Sequence, residues 1–501
     1  MDAPVIIVGG GPVGLSLALG LAHFGVRSIV LERNAQPIAE SRAVVIWPRT
    51  QEILRDWGAY DTLRAAGDFV KVFGAVNACT HAQLFDVDFS IMDDVVDDPG
   101  VIVLAQHQTE RILRELVNAN PLCDLRIGIE VAGLEQDAEH VDVHLRDGTT
   151  LRAAYAVGCD GAEGVVRGAL GLSLEGMTYA SRVVLSDVRL ASDPPDGAVA
   201  RICVDRPGLY GAARIAAFTW RVMAPVKRGV SDEKALSDDE QRMRMHEIFG
   251  DIEATVTWSQ IFKVHRRHAQ RFVIGRVALA GDAAHVSSPA GGQGMNAGIQ
   301  DAANLAWKLA FAIRGRGDAA QLLESYDIER REMVTGTIER FTDRITRAGL
   351  GFPSRARRAA AKAVSRAARA HGMQRKACRG LGMLSGRYTL SPIIDARHPL
   401  AGRRIDDLLL ADGSRINHKR NGETLLVVVG DFKLDAPHVV VERAPKRWHV
   451  KPPVVLIVRP DGCVAAVVEK PTLEKIERAW QKAFCGALPM TELVGSRIQI
   501  R

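Results

Sequence analysis

The chain begins with a short apolar run that ends in three glycines. Residues 4–8 form this run, glycines occupy 9–11, and apolar residues then recur at helical spacing through 13–24. A second apolar run at 28–31 ends at Glu32. This order of strand, tight turn, helix and strand predicts the first unit of a doubly wound α/β domain.

Further segments predict elements of both kinds. Helical spacing recurs at about 50–65 and 108–119, and the alternating segment 140–145 predicts part of a β-hairpin. Residues 175–275 carry short strand and turn signals, interrupted by an acidic, polar run at 231–240. The middle of the chain is therefore expected to be rich in β-structure.

The last two segments each combine strands with helices. A strand, a glycine-rich loop and a long helix follow one another between 277 and 313, and residues 400–501 have strands and a helix of their own. The elements predicted in this last segment are the strands 425–429, 454–458 and 464–468 and the helix 473–484. They predict a separate α/β domain.

The glycine turn at 9–14 has the spacing G-x-G-x-x-G in its required context, between a strand and a helix. The first glycine permits the tight turn, the second lets the backbone approach a pyrophosphate, and the third lets helix and strand pack closely. The helix N-terminus adds N–H donors and the positive end of a dipole. Glu32 lies where a carboxylate binds the hydroxyl groups of an adenosine ribose. These features predict a dinucleotide site, and the motif alone does not separate NAD from FAD.

Three later motifs point to a flavin. The strand at 277–280 ends in a Gly-Asp pair at 281–282, and the loop 289–296, Pro-Ala-Gly-Gly-Gln-Gly-Met-Asn, opens a long helix. A carboxylate at a strand end can accept hydrogen bonds from a ribitol chain. The helix start would favour negative charge on the N1/C2 edge of a reduced isoalloxazine ring. An Asp-Gly pair at 160–161 ends a further strand.

These residues resemble the family of single-component FAD-dependent aromatic hydroxylases, the para-hydroxybenzoate hydroxylase-like group A flavoprotein monooxygenases. The resemblance covers most of residues 1–345 and implies an α/β fold with a Rossmann-type FAD-binding domain and an inserted β-rich substrate domain. The predicted divisions are 1–75, 101–175 and 276–345 for the FAD-binding domain, 76–100 and 176–275 for the substrate domain, 346–399 for a basic helical segment, and 400–501 for a thioredoxin-like C-terminal domain.

By this resemblance, the glycine motifs share the binding of FAD. The first motif would bind the ADP half, Asp282 the ribityl chain, and residues 294–296 the isoalloxazine ring. The cofactor-binding residues so implied are Gly9, Gly11, Pro12, Val13, Gly14, Glu32, Arg33, Arg42, Gln106, Asp160, Asp282, Pro289, Gly292, Gly294, Met295 and Asn296.

Two of these residues are also implied in catalysis. Pro289 would offer its carbonyl beside the reactive C4a edge, and Arg42 would contact the pyrophosphate and take part in flavin movement. Gln106, at a Gln-x-x-x-Glu helix start, would support FAD. The sequence departs from the family at Gly164, where relatives usually carry serine, and this puts one hydrogen bond near the cofactor phosphates in doubt.

The substrate site and metal binding are less clearly marked. Tyr210, Arg214 and Trp220 lie in the predicted substrate domain and are candidates for its pocket. The base that would deprotonate a phenol cannot be read from the sequence. His265 and His268 have no carboxylate or third ligand nearby in sequence, so no metal is assigned.

The C-terminal segment resembles the thioredoxin-like domain of the phenol hydroxylase-type branch. Its mark is Arg-Pro-Asp-Gly at 459–462 after the strand 454–458. Because Cys463 and Cys485 stand alone without a Cys-x-x-Cys pair, a redox role is not expected. Packing, or assembly into a homodimer, is the expected role.

Composition restricts the class of protein. Hydrophobic residues make up 47% and charged residues 25% of the 501 residues, as in globular proteins, and no apolar run approaches the roughly 20 residues of a membrane span. The start of the chain lacks the basic region of a signal peptide. Seven scattered cysteines are typical of reduced thiols, so a cytoplasmic location is expected.

The net charge of +6 conceals a strongly basic segment. Residues 340–387 contain thirteen Lys or Arg and one acid. One helical face would carry Arg355, Arg358, Lys362, Arg366 and Arg369. A solvated or internally paired face is favoured over weak association with an anionic membrane surface, since the opposite face is mostly alanine. No aromatic residues interleave to stack bases, so no nucleic acid partner is expected.

The resemblance also implies a reaction. NADPH or NADH would reduce FAD and leave without a dedicated binding domain. Dioxygen would add at C4a, and the hydroperoxide would deliver one oxygen atom to a phenolic or polycyclic aromatic substrate. Two alternatives stay open: an epoxidase or Baeyer–Villiger oxygenase of the same fold acting on a natural product, and a flavoprotein without oxygenase turnover.

Overall fold

The computed structural model describes most of the chain. The described residues are 2–36, 43–77, 83–194, 199–206, 208–226, 229–289, 291–343, 371–420 and 422–486. Arg42 and the basic stripe between 355 and 369 lie outside them. The predictions made for these residues stay predictions.

The apolar and alternating segments of the described residues form the strands. In chain order they are β1 (Ala3–Val8), β2 (Ser28–Glu32), β3 (Val45–Ile46), β4 (Asp68–Val70), β5 (Val72–Asn77), β6 (Gln83–Asp88), β7 (Val101–Val103), β8 (Cys123–Ile127), β9 (Val131–Gln136), β10 (Val141–Leu145), β11 (Thr150–Gly158), β12 (Leu174–Leu190), β13 (Ala200–Arg206), β14 (Gly208–Ala216), β15 (Thr219–Pro225), β16 (Ala254–Ala269), β17 (Val273–Ile274), β18 (Val277–Leu279), β19 (His285–Val286), β20 (Leu425–Val429), β21 (Val439–Val441), β22 (Val454–Val458) and β23 (Val464–Glu469).

The helices connect and cover these strands. In chain order they are α1 (Pro12–His23), α2 (Pro48–Asp56), α3 (Tyr60–Ala66), α4 (Gln106–Asn118), α5 (Val165–Ala169), α6 (Asp232–Leu236), α7 (Asp238–Phe249), α8 (Gly294–Ile313), α9 (Ala319–Met333), α10 (His371–Leu381), α11 (Ile416–Arg420) and α12 (Leu473–Ala483). Among the helices of the described residues, none is both long and apolar enough to cross a bilayer.

The first sheet positions the glycine motifs. Its order is β17-β18-β11-β1-β2-β8, with β10 and β9 attached beside β11, and the pairs β1–β2, β1–β11, β11–β18 and β2–β8 are parallel. β1 and β2 are buried at nearly every position, which explains their continuous apolar character. The carboxyl ends of parallel strands meet at one edge of a sheet, so the motifs that follow β1, β11 and β18 gather there. This arrangement confirms the predicted α/β fold.

The second sheet joins an early segment of the chain to a later one. Its order is β19-β16-β12-β15-β14-β13-β5-β6, so two strands that precede α4 pair into a sheet of later strands. The acidic run at 231–240, which the sequence marks only as an interruption, forms α6 and the start of α7. Ser231 and Ser237 accept hydrogen bonds from Lys234 N–H and Glu240 N–H as N-caps, and acidic side chains in the first turn favour such helix starts.

The third sheet packs against α8. Its order is β21-β20-β22-β23, and α12 covers one face with Trp480 and, just beyond its end, Phe484. Both aromatic residues share a buried cluster with Trp307 and Phe311 of α8. The likeness of this sheet to a thioredoxin domain stays a prediction. A small sheet, β3-β7-β4, lies before α4 in the chain.

Candidate active site

The first glycine turn is shaped by close backbone approaches. Gly9 has a φ of 107°, and a Cβ at this position would lie 2.4 Å from the carbonyl oxygen of Cys159. A Cβ at Gly14 would lie 2.0 Å from the carbonyl oxygen of Gly9. At Gly11, by contrast, a Cβ would meet no atom within 4 Å. The turn is therefore closed where strands and helix meet and open at its centre.

The N-terminus of α1 is suited to an anion. Pro12 occupies the first turn, the Gly11 cap contributes no side chain, and no acidic residue lies in the first turn. Its backbone N–H groups thus keep their positive dipole end without a competing carboxylate. The opening at Gly11 and these donors together form a cradle that a pyrophosphate fits.

Glu32 lies at the end of β2 and holds the turn. Its Oε2 accepts a hydrogen bond of 2.7 Å from Gly10 N–H, and its Oε1 accepts one of 2.7 Å from Asn34 N–H. The carboxylate is 7% exposed, and each oxygen has a second lone pair for a ribose hydroxyl. The neighbouring Arg33 is exposed.

The second motif packs directly on the first. A Cβ at Gly281 would lie 2.9 Å from Val13 Cγ2, and a Cβ at Gly298 of α8 would lie 2.5 Å from the same atom. Two glycines therefore let the end of β18 and the body of α8 approach the start of α1. Asp282, the next residue after Gly281, has an exposed side chain beside this contact.

Asp301 of α8 fixes the position of this second motif. Its Oδ2 accepts hydrogen bonds from Gly281 N–H at 2.9 Å and lies 2.7 Å from His285 Nε2, while its Oδ1 accepts one from Arg330 Nε at 2.6 Å. Burial favours the neutral acid, but His285 and the Arg330 guanidinium outweigh it and hold the pKa of Asp301 below its usual value. Asp301 is thus an ionised anchor for the loop that carries Asp282.

The loop before α8 is held by Asn296 and Trp47. Asn296 is fully buried; its Oδ1 accepts from Trp47 N–H at 2.9 Å, and its Nδ2 donates to Val45 O at 2.8 Å and to Gly292 O at 2.9 Å. The Trp47 indole donates to Gly291 O at 3.0 Å. The amide of Asn296 is therefore bonded to protein backbone at both ends, a positioning role that the sequence did not indicate.

Pro289, Gly294 and Met295 of this loop are half-buried. The Pro289 carbonyl accepts a hydrogen bond of 3.0 Å from Gly292 N–H, and Pro289 is half-buried. A Cβ at Gly294 would meet no atom within 4 Å, so the N-terminus of α8 is open like that of α1. Met295 is half-buried against the main core. An open helix start with no acidic residue in its first turn fits the electron-rich edge of a flavin ring.

Replacing Asn296 with alanine is expected to lower the free energy of unfolding by about 2–4 kcal/mol, because Trp47 N–H and Val45 O are left buried without their partner. Chemical denaturation measures this difference. Asn118→Ala, at the exposed end of α4, is the control and should change the free energy by less than about 0.5 kcal/mol. Equal effects of both substitutions would contradict the positioning role of Asn296.

Gln106 connects α4 to the segment that precedes β3. Its Oε1 accepts from Ala43 N–H at 3.1 Å, its backbone N–H donates to Ala43 O at 3.0 Å, and its Nε2 donates to Glu110 Oε1 at 2.8 Å. Burial raises the pKa of Glu110. Gln106 thus fixes the residue next to Arg42.

Asp160 supports the site from the end of β11. Its Oδ2 accepts from Val166 N–H at 3.0 Å, and its Oδ1 is buried without a hydrogen-bond partner among the described residues. Burial raises the pKa of Asp160. A Cβ at Gly164 would lie 2.1 Å from Oδ1, so the carboxylate occupies the place of a side chain there. Arg167 Nη1 donates to Ala283 O at 2.9 Å and joins this turn to the second motif.

The predicted substrate-binding residues are placed differently. Arg214 donates two hydrogen bonds to Asp68, at 2.8 and 2.9 Å, and joins β14 to β4. Trp220 is fully buried, with its ring 5.3 Å from that of Phe249 in the core between β15 and α7. Tyr210 lies on β14. Arg214 and Trp220 thus make contacts within the fold, and the part of all three residues in substrate binding stays a prediction.

An aromatic group beside the site was not predicted. Trp47 contacts Phe73 and Phe89, with ring centroids 6.2 and 5.9 Å away, and its indole also bonds the loop before α8. No sequence motif marks Trp47, although it directly precedes Pro48 at the start of α2. No sequence motif marks Gly298 either, because only its contact with Val13 shows why glycine is required there.

The described part of the chain holds its histidines apart from any cluster of metal-ligating side chains. No group of three or more His, Cys, Asp or Glu side chains with the geometry of a metal site occurs there. His268 Nδ1 lies 3.0 Å from Glu339 Oε1, and His265 Nδ1 lies 3.0 Å from Thr178 Oγ1.

Comparison with known proteins agrees with this geometry. The sequence profile of the family described as FAD binding domain matches residues 2–341. Rifampicin monooxygenase of Streptomyces venezuelae is 33% identical over 433 residues, which cover 84% of this chain and 86% of the relative. The 12-dehydrotetracycline 5-monooxygenase/anhydrotetracycline 6-monooxygenase of Streptomyces rimosus is 32% identical over 83% of this chain and 82% of its own.

A solved structure extends the likeness to the C-terminal sheet. Anhydrotetracycline hydroxylase from Streptomyces rimosus has a TM-score of 0.77 and 29% identity, and the match covers 97% of this chain and all of that one. The profile match spans more than half of the chain, and its motifs form the site described above. The chain therefore belongs to the FAD binding domain family and is an FAD-dependent monooxygenase of the aromatic hydroxylase type.

Proposed function

We propose that this enzyme transfers one oxygen atom from dioxygen to an electron-rich aromatic ring at the expense of NADPH or NADH. Aromatic C–H, dioxygen, NAD(P)H and a proton give the hydroxylated ring, water and NAD(P)+. FAD, when bound, takes up the hydride and activates dioxygen. The observation that carries this proposal is the close packing of the N-terminal parts of α1 and α8, through Val13 and Gly298, with no acidic residue in either first turn.

The residues of the chain would bind and orient the cofactor. Glu32 would accept hydrogen bonds from ribose hydroxyls, the α1 N-terminus would bind the pyrophosphate, and Asp282 would accept from the ribityl chain. The N–H groups at the start of α8 would stabilise negative charge on the reduced ring. Asn296 and Trp47 would hold the ring-facing loop in place, and Gln106 would position the segment that includes Arg42.

The substrate class is proposed from the relatives. We propose a polycyclic or otherwise large aromatic natural product, because four relatives that match over more than four-fifths of this chain are named for rifampicin or tetracycline chemistry. A 3-(3-hydroxy-phenyl)propionate/3-hydroxycinnamic acid hydroxylase from Burkholderia vietnamiensis matches over 67% of the chain. A small phenol is therefore the second substrate class to test.

We propose the domain division stated from the sequence. The parallel sheet supports an FAD-binding domain formed from 1–75, 101–175 and 276–345, because all of its strands except β17 come from these segments. The pairing of β5 with β13 and of β6 with β5 supports a substrate domain that includes 76–100 and 176–275, with β5 beginning at Val72. The C-terminal sheet supports a unit from 400 onward, for which the segment 346–399 is the connection.

The experiment is substrate-stimulated oxidation of NADPH and NADH by the FAD-loaded protein. The panel contains tetracyclic and ansa aromatic compounds beside simple phenols, with products identified by mass spectrometry and hydrogen peroxide measured in parallel. We expect one compound to stimulate oxidation and to gain the mass of one oxygen atom. Light scattering on the same sample tests the predicted homodimer.

The other outcomes separate the alternatives. If the added oxygen lies in an epoxide or a lactone, the reaction is an epoxidation or a Baeyer–Villiger oxygenation and not a hydroxylation. NAD(P)H oxidation that yields only hydrogen peroxide with every compound would favour a flavoprotein without oxygenase turnover. Failure of the protein to bind FAD would overturn the proposed function.

A further inference from the structure

A buried network of charges joins the C-terminal sheet to the second glycine motif, which follows β18. It contains three cations and three carboxylates, each with a side chain less than one-tenth exposed. Its charged members are Lys308, Arg330, Arg459, Asp301, Glu329 and Asp461. The charges balance within the network, as burial of ionised groups requires.

The network begins in the turn between β22 and β23. Arg459 donates to both carboxylate oxygens of Glu329, at 2.6 and 2.9 Å, and also to Asp461. Glu329 lies on α9, 130 residues earlier in the chain. This fork-to-fork pair attaches the C-terminal turn to α9 with defined geometry.

The middle of the network lies on α8. Asn304 donates to Glu329 Oε2 at 2.6 Å and to Asp461 Oδ2 at 3.2 Å, and its Nδ2 lies 3.4 Å from the Tyr388 hydroxyl. The same hydroxyl accepts a hydrogen bond of 3.0 Å from Arg330 Nη1. Tyr388 therefore joins the Glu329 half of the network to the Arg330 half.

The network ends at the loop that would contact the cofactor. Arg330 donates to Asp301 Oδ1 at 2.6 Å and to Ala297 O at 3.2 Å, and Asp301 accepts from Gly281 N–H, one residue before Asp282. These contacts run from the C-terminal turn to the backbone of the second glycine motif, through hydrogen bonds at every step except the 3.4 Å contact between Asn304 Nδ2 and the Tyr388 hydroxyl.

Packing alone does not determine where the middle of this network lies. A cavity of about 40 Å³ borders Tyr388, Asn304 and Asp461. Space of this size admits water, so these side chains are not enclosed by apolar neighbours on every side. Their hydrogen bonds are then the main determinant of their positions.

We propose that Tyr388 and Arg330 are positioning residues through which the C-terminal sheet sets Asp301, and with it the Gly281–Asp282 backbone, for flavin binding. This inference rests on the proposed FAD site. It gives the C-terminal sheet a part in the flavin chemistry that needs no cysteine pair and no contact with the cofactor.

The test compares Tyr388→Phe and Asp461→Asn with Tyr60→Phe in the full chain. Tyr60 is a matched control, because it is equally buried and its hydroxyl donates to Asp98 at 2.6 Å away from the network. The first readout is the dissociation constant of FAD, measured by fluorescence titration of the apoprotein. The second is hydrogen exchange of the Gly281–Ala284 amides in the FAD-loaded protein.

We expect Tyr388→Phe and Asp461→Asn to bind FAD about tenfold more weakly, a change that corresponds to about 1.4 kcal/mol, and to exchange the Gly281 amide faster. Tyr60→Phe should match the wild type in both readouts even where its melting temperature falls as far. The proposal is overturned if the two network variants bind FAD and exchange like Tyr60→Phe. If a variant does not fold, the other variant and the exchange data decide. Absence of FAD binding by the wild type would instead refute the proposed function.

Discussion

Replacing Gly14 with alanine is expected to weaken FAD binding at least about a hundredfold. Two charge-assisted hydrogen bonds from the chain to FAD, of about 1.5 kcal/mol each, depend on the turn that Gly14 closes. The new Cβ would lie 2.0 Å from the carbonyl oxygen of Gly9. Neither the Gly9 carbonyl group nor the backbone at residue 14 can move without displacing β1 or α1. The same strain should lower the free energy of unfolding by about 1–3 kcal/mol.

Gly11→Ala separates cofactor binding from folding. A Cβ at Gly11 meets no protein atom within 4 Å, so the apoprotein should unfold at the same denaturant concentration as the wild type. The methyl group would occupy the cradle, and FAD binding should weaken by about tenfold or more. Fluorescence titration and urea denaturation measure the two effects separately.

Gly168→Ala is the control for both substitutions, since its Cβ also meets no atom within 4 Å and it lies on the exposed face of α5. It should bind FAD like the wild type. If Gly11→Ala also binds FAD like the wild type, the pyrophosphate does not approach the turn at Gly11, and the assignment of this cradle is wrong.

Glu329→Gln is expected to lower the free energy of unfolding by about 3–5 kcal/mol, because it removes one partner from a buried, balanced set of charges. Arg459, Lys308, Asn304 and Ser391 all donate to this carboxylate. Chemical denaturation at neutral pH measures the loss. Glu324→Gln on the same helix is the control; its pair with Arg271 is nearly half exposed and should contribute less than about 1 kcal/mol.

The difference in the free energy of unfolding between Glu329→Gln and the wild type should depend on pH on both the acidic and the alkaline side. Burial opposes ionisation, but Arg459 and Lys308 hold the pKa of Glu329 well below its usual 4.5. A carboxylate with a lowered pKa stabilises the fold above about pH 4.5, and this contribution is lost as the pH falls further. The difference should therefore shrink on acidification below that value.

Loss of the Lys308 proton gives the difference a second dependence on pH, on the alkaline side. Burial lowers its pKa to about 8, so the amine loses its proton above this pH and no longer needs a carboxylate. Without the Glu329 carboxylate the amine should lose its proton at a lower pH than in the wild type, so the difference should shrink as the pH rises towards about 8 and stay constant above it. The double variant Glu329→Gln/Lys308→Met should regain a large part of the lost stability at pH 7. A double variant no more stable than Glu329→Gln would contradict charge balance as the cause.

The sequence predicted the cofactor motifs because their chemistry is local. Gly9, Gly14 and Glu32 lie within one strand-turn-helix-strand unit, and the structure places this unit as the pattern indicated. The C-terminal strands 425–429 and 454–458 were predicted with the bounds that β20 and β22 have, because continuous valine-rich runs bounded by turns leave little choice of element. The acidic run at 231–240 was missed as helical because its apolar face is weak and its serine caps decide the starts.

Contacts between distant segments were beyond the reach of any local pattern. Gly298 looks like one more small residue on a helix until Val13 and Gly281 are placed against it. The partners of Asp301, which are Gly281, His285 and Arg330, become evident only when α8, α9 and the end of β18 are packed together. Arg214 and Trp220 are candidates for the pocket from their position in the chain, and only the packed structure shows their neighbours Asp68 and Phe249.

By itself, the sequence determined the flavin-binding class of this protein, because the features that mark this class depend on neighbouring residues. These features are a glycine that permits a turn, a strand that is buried on both faces, and a helix that starts without a capping acid. Only the tertiary structure decided how the C-terminal sheet reaches the site. Arg459 bonds Glu329 across 130 residues, and Asn304 bonds Asp461 across 157. Burial removes most of the water around such charged groups, so each needs a partner that the fold brings to it.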